Sequence, residues 1–479
     1  MKEYGKNSFL TGVFLSILFS LLLAENAGAQ DFKYGRLYYN KISENEVVVT
    51  STGKSYLIYT GDIVIPESVG DNDEFTVVGI DDNAFYYSDI RSVVLPATIK
   101  WIGNSAFKFT ELKSIYFPEG LIKIDDRAFN GTQLEKIELP SSLEYLGESS
   151  FSHCYSLSSV YISSGVSYVG GKAFSNCYSL KQINVSEDNP YYTSLDGLVY
   201  DKMLNELVIF PPGCDSFVFP ESMTVIGENV FAGSESLTYF KVPSTVTVIK
   251  KNAFQMCNNL TKVDLHEGLE EIGEGSFDCT GIKSIKIPPL IKKIQNRVFF
   301  ANSELREVIW PPSLEEIGDE AFYDTPFAFV TLEIPSSVVS IGERAFMGEE
   351  YLDYSYLKEI KLGSGLKHIG KHCFYYNKKI NKVYCSSPEP PTCGGRIFMD
   401  EIHENATLYV PADSYEIYKN TEPWCFFKNI EPSGDASLNQ ITEVGKESVM
   451  YDLSGRKVGS HEVASGIYII NGKKIVVSK

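Results

Sequence analysis

One short block, most often I-G-x-x-A-F, recurs along much of this 479-residue chain and constrains its fold more than any other feature. The copies end at Phe85, Phe107, Phe129, Phe151, Phe174, Phe231, Phe254, Phe277, Phe299, Phe322, Phe346 and Phe374. The step from Phe174 to Phe231 is more than twice as long as its neighbours, and the last step is also somewhat longer. The usual spacing of about 23 residues predicts a solenoid, in which each repeat forms one coil and stacks on the next.

A second block, L-x-x-I-x-L-P, lies between the copies of the first, as in LEKIELP at 134–140 and LREVIWP at 305–311. Its apolar residues alternate with variable ones, and this period of two predicts a strand with one buried face. A single coil of about 23 residues cannot bury its own apolar side, so the coils must bury one another. The sequence therefore predicts a mainly β solenoid of about 12–14 coils, closed by a cap at each end.

The long step between Phe174 and Phe231 indicates an irregular coil. Two apolar runs, LVY and ELVIF, flank DKMLN there and predict a strand–turn–strand excursion on a degenerate repeat. The alternative is a break between two solenoid blocks. The predicted organisation is a signal peptide at 1–29, an N-terminal cap at 30–79, a solenoid at 80–374 with an irregular insert at 180–220, a C-terminal cap at 375–430, a linker at 431–437 and a small C-terminal β unit at 438–479.

The N-terminus has the layout of a secretory signal peptide. Lys2 and Lys6 precede an apolar stretch at 9–24, and the small residues of Ala-Gly-Ala at 27–29 suit a cleavage site. The alternative is an uncleaved anchor helix, which the shortness of the stretch disfavours. We therefore expect an exported protein, secreted or held at the cell surface, with no transmembrane span after cleavage.

The net charge of the chain disfavours some classes of binding partner on electrostatic grounds. The chain carries a net charge of −19 and has no basic tract. Nucleic acids and anionic membranes bind proteins chiefly through clustered Lys and Arg. Nucleic acid is therefore not an expected partner.

Cysteines follow the repeat instead of a pairing scheme. Cys154, Cys177 and Cys257 each lie three residues after a repeat phenylalanine, and Cys279 lies two residues after Phe277. Such periodic positions are typical of small buried hydrophobic residues. We expect most of these four to be free thiols, even in an exported protein.

Together the two blocks resemble the leucine-rich repeat of the BspA-like class of bacterial surface proteins over about residues 80–430. The resemblance implies a leucine-rich repeat solenoid on a secreted or surface-exposed protein, adhesion to host matrix or to other bacteria, and no catalytic residues. The C-terminal segment 448–479, with YDLSGRKV and GIYIINGKKIVV, is similar to the C-terminal sorting domains of the type IX secretion system.

Chemistry-bearing motifs are few. Neither the nucleophile elbow G-x-S-x-G nor the zinc motif H-E-x-x-H occurs in the sequence. The segment 365–371 approaches a phosphate-binding loop, but His372 stands where Ser or Thr is needed. Acidic pairs such as Asp81–Asp82 and Asp125–Asp126 are expected to form a solvated rim. No enzyme activity, cofactor or metal is expected.

Binding through the variable strand positions is the favoured function. These residues alternate with the buried ones and therefore point outward. The candidate binding residues are Tyr116, Lys136, Glu138, Tyr161, Tyr239, Lys241, Lys262, Lys286, Glu333, Lys361 and Tyr384. Tyrosine mixed with charges of both signs suits a protein ligand, such as a host matrix protein or another cell surface. The alternative is a glycan-binding accessory protein that uses Tyr116 and Tyr161 as platforms.

Overall fold

The computed structural model describes residues 31–52, 59–215, 217–325, 331–350 and 356–433, together with the backbone of four strands between 450 and 477. The predicted signal peptide lies outside the described residues. The described chain is a mainly β solenoid with very little helix, which confirms the predicted fold class, and it has about 15 turns where 12–14 coils were expected. Each regular coil contributes a long strand, a short strand and a turn, and each of the three bonds to its counterpart in the neighbouring coils.

The long strands carry the L-x-x-I-x-L-P block and pair in parallel, in register, as with Lys136–Glu138 and Ser159–Ile162. Alternate residues of each strand are buried, which follows from the period of two. The long strands are Thr60–Val64, Asp89–Val94, Lys136–Glu138, Ser159–Ile162, Ile183–Val185, Tyr239–Lys241, Lys262–Asp264, Ser284–Lys286, Glu307–Ile309, Thr331–Glu333, Glu359–Leu362, Lys382–Cys385, Thr407–Pro411 and Asn429–Ser433.

The short strands form a second parallel face and end at the first residue of the I-G-x-x-A-F block. They are Trp101–Ile102, Lys123–Ile124, Tyr145–Leu146, Tyr168–Val169, Val225–Ile226, Val248–Ile249, Glu271–Ile272, Lys293–Ile294, Glu316–Ile317, Ser340–Ile341, His368–Ile369 and Thr392–Cys393. Glycine commonly follows these strands, at a position where a Cβ would strike the preceding coil. At Gly147, for example, a Cβ would lie 2.5 Å from the backbone of Asp125 and Asp126.

The turns form a third ladder, which we call the turn ladder. Two residues of a regular turn have positive φ, as at Ser149 and His153, and this geometry points three backbone amides at the next coil. Ser149, Phe151 and His153 donate to the carbonyls of Gly171, Ala173 and Ser175 at 2.9–3.1 Å. Each regular coil therefore contributes one hydrogen-bonded rung to this ladder.

The repeat phenylalanines point inward and stack. Phe107, Phe129 and Phe151 are fully buried, and their ring centroids lie 5.1 Å apart with nearly parallel planes. This spacing matches the distance between hydrogen-bonded strands, because each ring belongs to the next coil. A second stack begins at Phe231 and continues to Phe398.

In several coils, the buried side chain three residues after the phenylalanine donates a hydrogen bond. The thiols of Cys177 and Cys257 bond to the carbonyls of Phe151 and Phe231, one coil earlier, at 3.1 and 3.0 Å. Thr325 and Asn377 occupy the same repeat position and bond equivalently at 2.8 Å.

The four cysteines considered in the sequence are free thiols, as predicted. Cys154, Cys177 and Cys257 are buried, but they are donors and not merely small apolar residues. Cys279 is half-buried, because it lies one residue earlier in the turn, at a positive-φ position.

The acidic pairs also have structural contacts. Oδ1 of Asp82 accepts a hydrogen bond from the backbone amide of Asn104 at 2.7 Å, and Asp126 does the same for Glu148 at 2.8 Å. Burial raises the pKa of Asp82, while this backbone bond lowers it in part. The second aspartate of each pair lies on the rim, where Asp82 is exposed and Asp126 is half-buried, and its carboxylate also binds the next coil.

The ends of the solenoid differ from its middle. The N-terminal end begins with three antiparallel strands, Phe32–Tyr34, Leu37–Lys41 and Glu46–Thr50. The third of these pairs in parallel with Phe75–Ile80, which also pairs with the short strand Ser68–Val69. All helices of the described residues lie near the C-terminus of the solenoid: the α-helices Asp400–Asn405 and Tyr415–Lys419 and the 3₁₀ turns Ala412–Ser414 and Trp424–Phe426. The strand Asn429–Ser433 runs three residues into the segment assigned to the linker.

Beyond this strand, a small antiparallel sheet forms the C-terminal β unit. Its strands are Met450–Asp452, Lys457–Val458, Gly466–Ile470 and Lys473–Val477. The strand Met450–Asp452 pairs with both Lys457–Val458 and Gly466–Ile470, and the latter also pairs with Lys473–Val477.

The irregular insert contains three antiparallel strands, Tyr192–Leu195, Leu198–Asp201 and Glu206–Ile209. The last of these returns to the short-strand face and pairs in parallel with Val225–Ile226. The buried apolar residues divide into two clusters at this point, with Val199 in the first and Leu198 and Tyr200 in the second. The insert therefore joins two stretches of regular coils.

Candidate functional site

The candidate residues of the long strands lie on one face, which we call the outward strand face. It consists of Tyr116, Lys136, Glu138, Tyr161, Tyr239, Lys241, Lys262, Lys286, Glu333, Lys361 and Tyr384. All are exposed except Lys361 and Tyr384, which are half-buried. Tyr116 is 77% exposed, the largest value among the exposed hydrophobic side chains.

The N-terminal part of this face presents open side chains. Glu138 lies opposite Tyr161 in the strand register, and Lys136 lies opposite Ser159. Among the described residues, neither Lys136 nor Glu138 forms an ion pair. Tyr116 and Tyr161 lie two coils apart, with Glu138 in the coil between them. The tyrosines do not form one continuous aromatic platform.

The C-terminal part of the face is internally paired. Tyr239 donates a hydrogen bond to Asp264 at 2.6 Å, and Lys262 lies 3.3 Å from the same carboxylate. The Tyr239 bond, followed by Lys262, lowers the pKa of Asp264. Lys361 contacts Glu333 at 2.5 Å, and this hydrogen bond raises the pKa of Lys361. Charges already satisfied within the protein have less to offer a ligand than the open ones near Lys136.

An exposed aromatic cluster on the turn ladder was not identified from the sequence. The rings of Tyr87 and Phe109 lie 5.0 Å apart, each is at least 41% exposed, and Tyr86 packs edge-on against Tyr87. Lys108 lies 5.0 Å from the Phe109 ring. Tyr87 and Phe109 each follow the repeat phenylalanine by two residues. That regular spacing was the available signal.

A cavity of about 390 Å³ lies where the irregular insert joins the second stretch of coils. One wall is the turn at 170–176 and the opposite wall is the turn at 228–234. Phe174, Phe210 and Phe231 contribute apolar surface, while Glu148 and Glu228 contribute carboxylates. This volume falls within the range of ligand-binding pockets. The long step between repeats marks the place in the sequence, but it does not reveal a cavity.

Metal ligands and membrane-spanning helices also bear on function. Among the described residues, no group of three or more His, Cys, Asp or Glu side chains is arranged to hold a metal ion. Within that same part of the chain, none of the helices has the length and apolar character needed to span a membrane.

The stacked coils, with parallel strands and inward phenylalanines, define a leucine-rich repeat protein. The chain belongs to the family described as the BspA type leucine rich repeat region, whose model matches residues 78–194, 213–328 and 316–421 in six copies.

Solved structures with similar coils include the pneumococcal vaccine antigen PcpA, at 19% identity and a TM-score of 0.45, over 85% of this chain and 98% of that one. A leucine-rich repeat protein from Bacteroides ovatus is 24% identical over 74% of this chain and 94% of its own, with a TM-score of 0.38. A leucine rich cell surface protein from Faecalibacterium prausnitzii is 18% identical over 86% and 97%, with a TM-score of 0.36. No curated protein matches the sequence.

Proposed function

We propose that this protein is an exported, non-catalytic surface protein that binds a macromolecular ligand through the outward strand face. The ligand is a host matrix protein or a protein of another cell surface. The observation that carries the proposal is the open N-terminal part of this face, where the exposed Tyr116 and Tyr161 flank the unpaired charges of Lys136 and Glu138. Tyrosines with charges of both signs are typical of protein-binding surfaces.

The ladder beneath this face supports the proposal. Two of its strands, Lys136–Glu138 and Ser159–Ile162, are hydrogen-bonded in register. Their central residues, Ile137 and Val160, point inward and are buried in the core. Side chains on such rigid strands are held in place before the ligand arrives, so binding loses less conformational entropy.

Binding can be tested with purified protein and immobilised host matrix proteins. Tyr116→Ala combined with Tyr161→Ala should weaken binding roughly tenfold or more, because exposed tyrosines at an interface centre often contribute over 1 kcal/mol each. The matched control is Tyr155→Ala combined with Tyr178→Ala, since these exposed tyrosines lie in turns, away from the outward strand face. Unchanged binding in the Tyr116 and Tyr161 double variant would contradict the proposal.

Export and surface delivery form a separate part of the proposal. The signal-peptide pattern at 1–29 and the likeness of the segment 448–479 to type IX sorting domains support it. Deleting 435–479 should leave the melting temperature and ligand binding of purified protein nearly unchanged, while the cell-surface fraction falls. Normal surface delivery of the truncated protein, or a destabilised solenoid, would contradict this assignment.

Glycan binding is the second candidate, and the exposed Tyr87–Phe109 cluster favours it. Sugars bind to proteins by stacking on exposed aromatic rings, but Tyr116 and Tyr161 are separated by a coil. A glycan array with wild type and Tyr87→Ala would decide between the candidates. Glycan signals that the substitution removes would place a sugar site on the turn ladder, whereas matrix-protein binding lost with Tyr116 would support the first proposal.

A further inference from the structure

The turn ladder is missing one rung, and the missing rung is the cavity. The chain leaves the short strand Glu206–Ile209 through Phe210-Pro-Pro-Gly and reaches its next apolar strand-like run, FVF at 217–219, within eight residues. In register Leu207 pairs with Ile226. The next coil takes fourteen residues from Ile226 to Phe240, whereas the same path here, from Leu207 to Phe217, takes ten. The I-G-x-x-A-F block is absent from this coil. The coil therefore contributes a short strand but no turn.

Backbone groups on both sides of the gap are left unpaired. In a regular pair of coils, three amides of one turn donate to three carbonyls of the next, as Asn229, Phe231 and Gly233 donate to Lys251, Ala253 and Gln255. The equivalent donors at the gap are Lys172, Phe174 and Asn176, and the equivalent acceptors are Glu228, Val230 and Ala232. Among the described residues, these amides and carbonyls form no backbone hydrogen bond.

The two walls face one another across a gap of about one rung. The Nζ atom of Lys172 reaches Oε1 of Gln255, one coil beyond the gap, at 2.8 Å. Asn229 points its side-chain amide to within 2.5 Å of the place where a Cβ on Gly171 would lie. Three donors on one wall and three acceptors on the other match one segment of about five residues that adopts the conformation of a repeat turn.

The side chains that line the cavity favour a positively charged ligand. Glu206 pairs with Lys250 at 2.7 Å, while Lys172 bonds to the neutral Gln255 and leaves one positive charge in the lining against the carboxylates of Glu148 and Glu228. Glu148 and Glu228 form no ion pair among the described residues. Burial, followed by the charges of Glu228, Asp126 and Glu148, raises the pKa of the neighbouring Tyr168. The end of the slot nearest the short strands is therefore acidic.

We propose that this slot binds a basic peptide segment of a partner protein, which adopts the conformation of a repeat turn and completes the turn ladder by backbone pairing. The segment would accept from Lys172, Phe174 and Asn176, donate to Glu228, Val230 and Ala232, and place a Lys or Arg side chain beside Glu148 and Glu228. An apolar side chain would face Phe174 and Phe231. The slot is separate from the outward strand face, so the proposal does not depend on the proposed function.

The test uses a fluorescent peptide that copies residues 249–256, IKKNAFQM, because this native rung carries lysines followed by Ala-Phe. Saturable binding to the purified chain, measured by fluorescence anisotropy, is expected. Changing both lysines of the peptide to glutamate should weaken binding at least tenfold. Methylating the backbone nitrogens that correspond to Asn252, Phe254 and Met256 should abolish it, because these donors would be lost.

Variants of the protein locate the site. Glu148→Gln combined with Glu228→Gln should weaken peptide binding roughly fivefold, the effect of losing two solvent-exposed charge contacts. Glu274→Gln is the matched control, since Glu274 occupies the same repeat position in a coil with both neighbouring rungs present. Tyr116→Ala should not affect peptide binding, which separates this site from the outward strand face.

Several results would overturn the proposal. They are the absence of saturable binding, equal binding of the methylated or glutamate peptide, and equal weakening by Glu274→Gln and by the double variant. Loss of binding in Tyr116→Ala would place the peptide on the outward strand face instead.

Discussion

The regular coils from Phe85 to Phe174 and the coil that carries the insert are built from the same strand pattern, but only the regular coils close their turn ladder. In the regular coils each turn pairs with a neighbouring turn, and each phenylalanine stacks on its neighbour at 4.9–5.8 Å. In the irregular coil Phe210 packs at a tilt of 49° against Phe231, beside an open cavity.

This difference shows that the I-G-x-x-A-F block is needed for the turn but not for the short strand. The short strand survives the loss of I-G-x-x-A-F, since Glu206–Ile209 still pairs with Val225–Ile226. The turn rung does not survive, because two prolines supply no backbone amide and Gly213 bends the chain back toward Leu180, whose carbonyl its amide contacts at 2.8 Å. Each ladder therefore depends on its own part of the repeat.

The largest expected effect is the loss of a stacked ring. Phe129→Ala should lower the free energy of unfolding by about 3–5 kcal/mol, because it removes a fully buried ring between two others and leaves a closed cavity. Phe210→Ala should cost less, about 2 kcal/mol, because its space merges with the existing cavity. Denaturant unfolding followed by circular dichroism measures both. Equal losses would remove the energetic distinction between the two regions.

A smaller effect should follow from the buried donors. Cys257→Val removes the hydrogen bond to the Phe231 carbonyl and should cost about 1–3 kcal/mol, the penalty for an unpaired buried carbonyl. Cys257→Thr has the same shape as the valine variant but keeps a donor, and threonine occupies this repeat position at Thr325. We expect the threonine variant to be the more stable of the two in the same unfolding assay. Equal stability would mean that this position is purely apolar.

The smallest predicted effect concerns His153, which lies one coil before the turn that borders the gap. Its Nε2 accepts from Asn176 at 3.0 Å and its Nδ1 pairs with Ser152 at 2.8 Å, so the folded state favours the neutral ring. Burial, followed by the charge of Lys108, lowers the pKa of His153 below its ordinary value of 6.5. As pH falls below 6.5, the unfolded chain takes up this proton first, so stability decreases.

His153→Gln should therefore lose less stability than wild type between about pH 7.5 and pH 5. The matched control is His372→Gln in a regular coil, where burial also lowers the pKa of a more exposed ring. Unfolding curves at the two pH values provide the measurement. The same slope in wild type and His153→Gln would show that the protonation of His153 does not affect stability.

Much of the fold is readable in the sequence because the solenoid repeats its own constraints. The inward phenylalanines, the alternating long strands and the exposed row from Tyr116 to Tyr384 all follow from periods of two and of about 23 residues. Contacts between coils are less readable. The hydrogen bonds of Cys257 and Asp126 to neighbouring coils depend on register in three dimensions, and a residue type alone does not specify its partner.

The missing rung was harder to infer for a physical reason. The sequence of the insert shows apolar runs and a Pro-Pro-Gly turn, which predict strands and a bend. It does not show that Lys172 and Glu228, which are far apart along the chain, end on opposite walls of one gap. The location of the candidate peptide site therefore depends on how the coils stack. Its charge comes from Glu148 and Glu228, which occupy a variable position of the repeat and carry no signal of their own in the sequence.

Amide hydrogen exchange tests the central claim most directly, because it reports on individual backbone hydrogen bonds in the free protein. Exchange resolved to single residues should show fast exchange at Lys172, Phe174 and Asn176 and slow exchange at Ser149, Phe151 and His153, one coil earlier. The two sets occupy the same repeat positions, and only the second set donates to a neighbouring rung. Equal protection of both sets would contradict the missing rung and, with it, the proposed peptide slot.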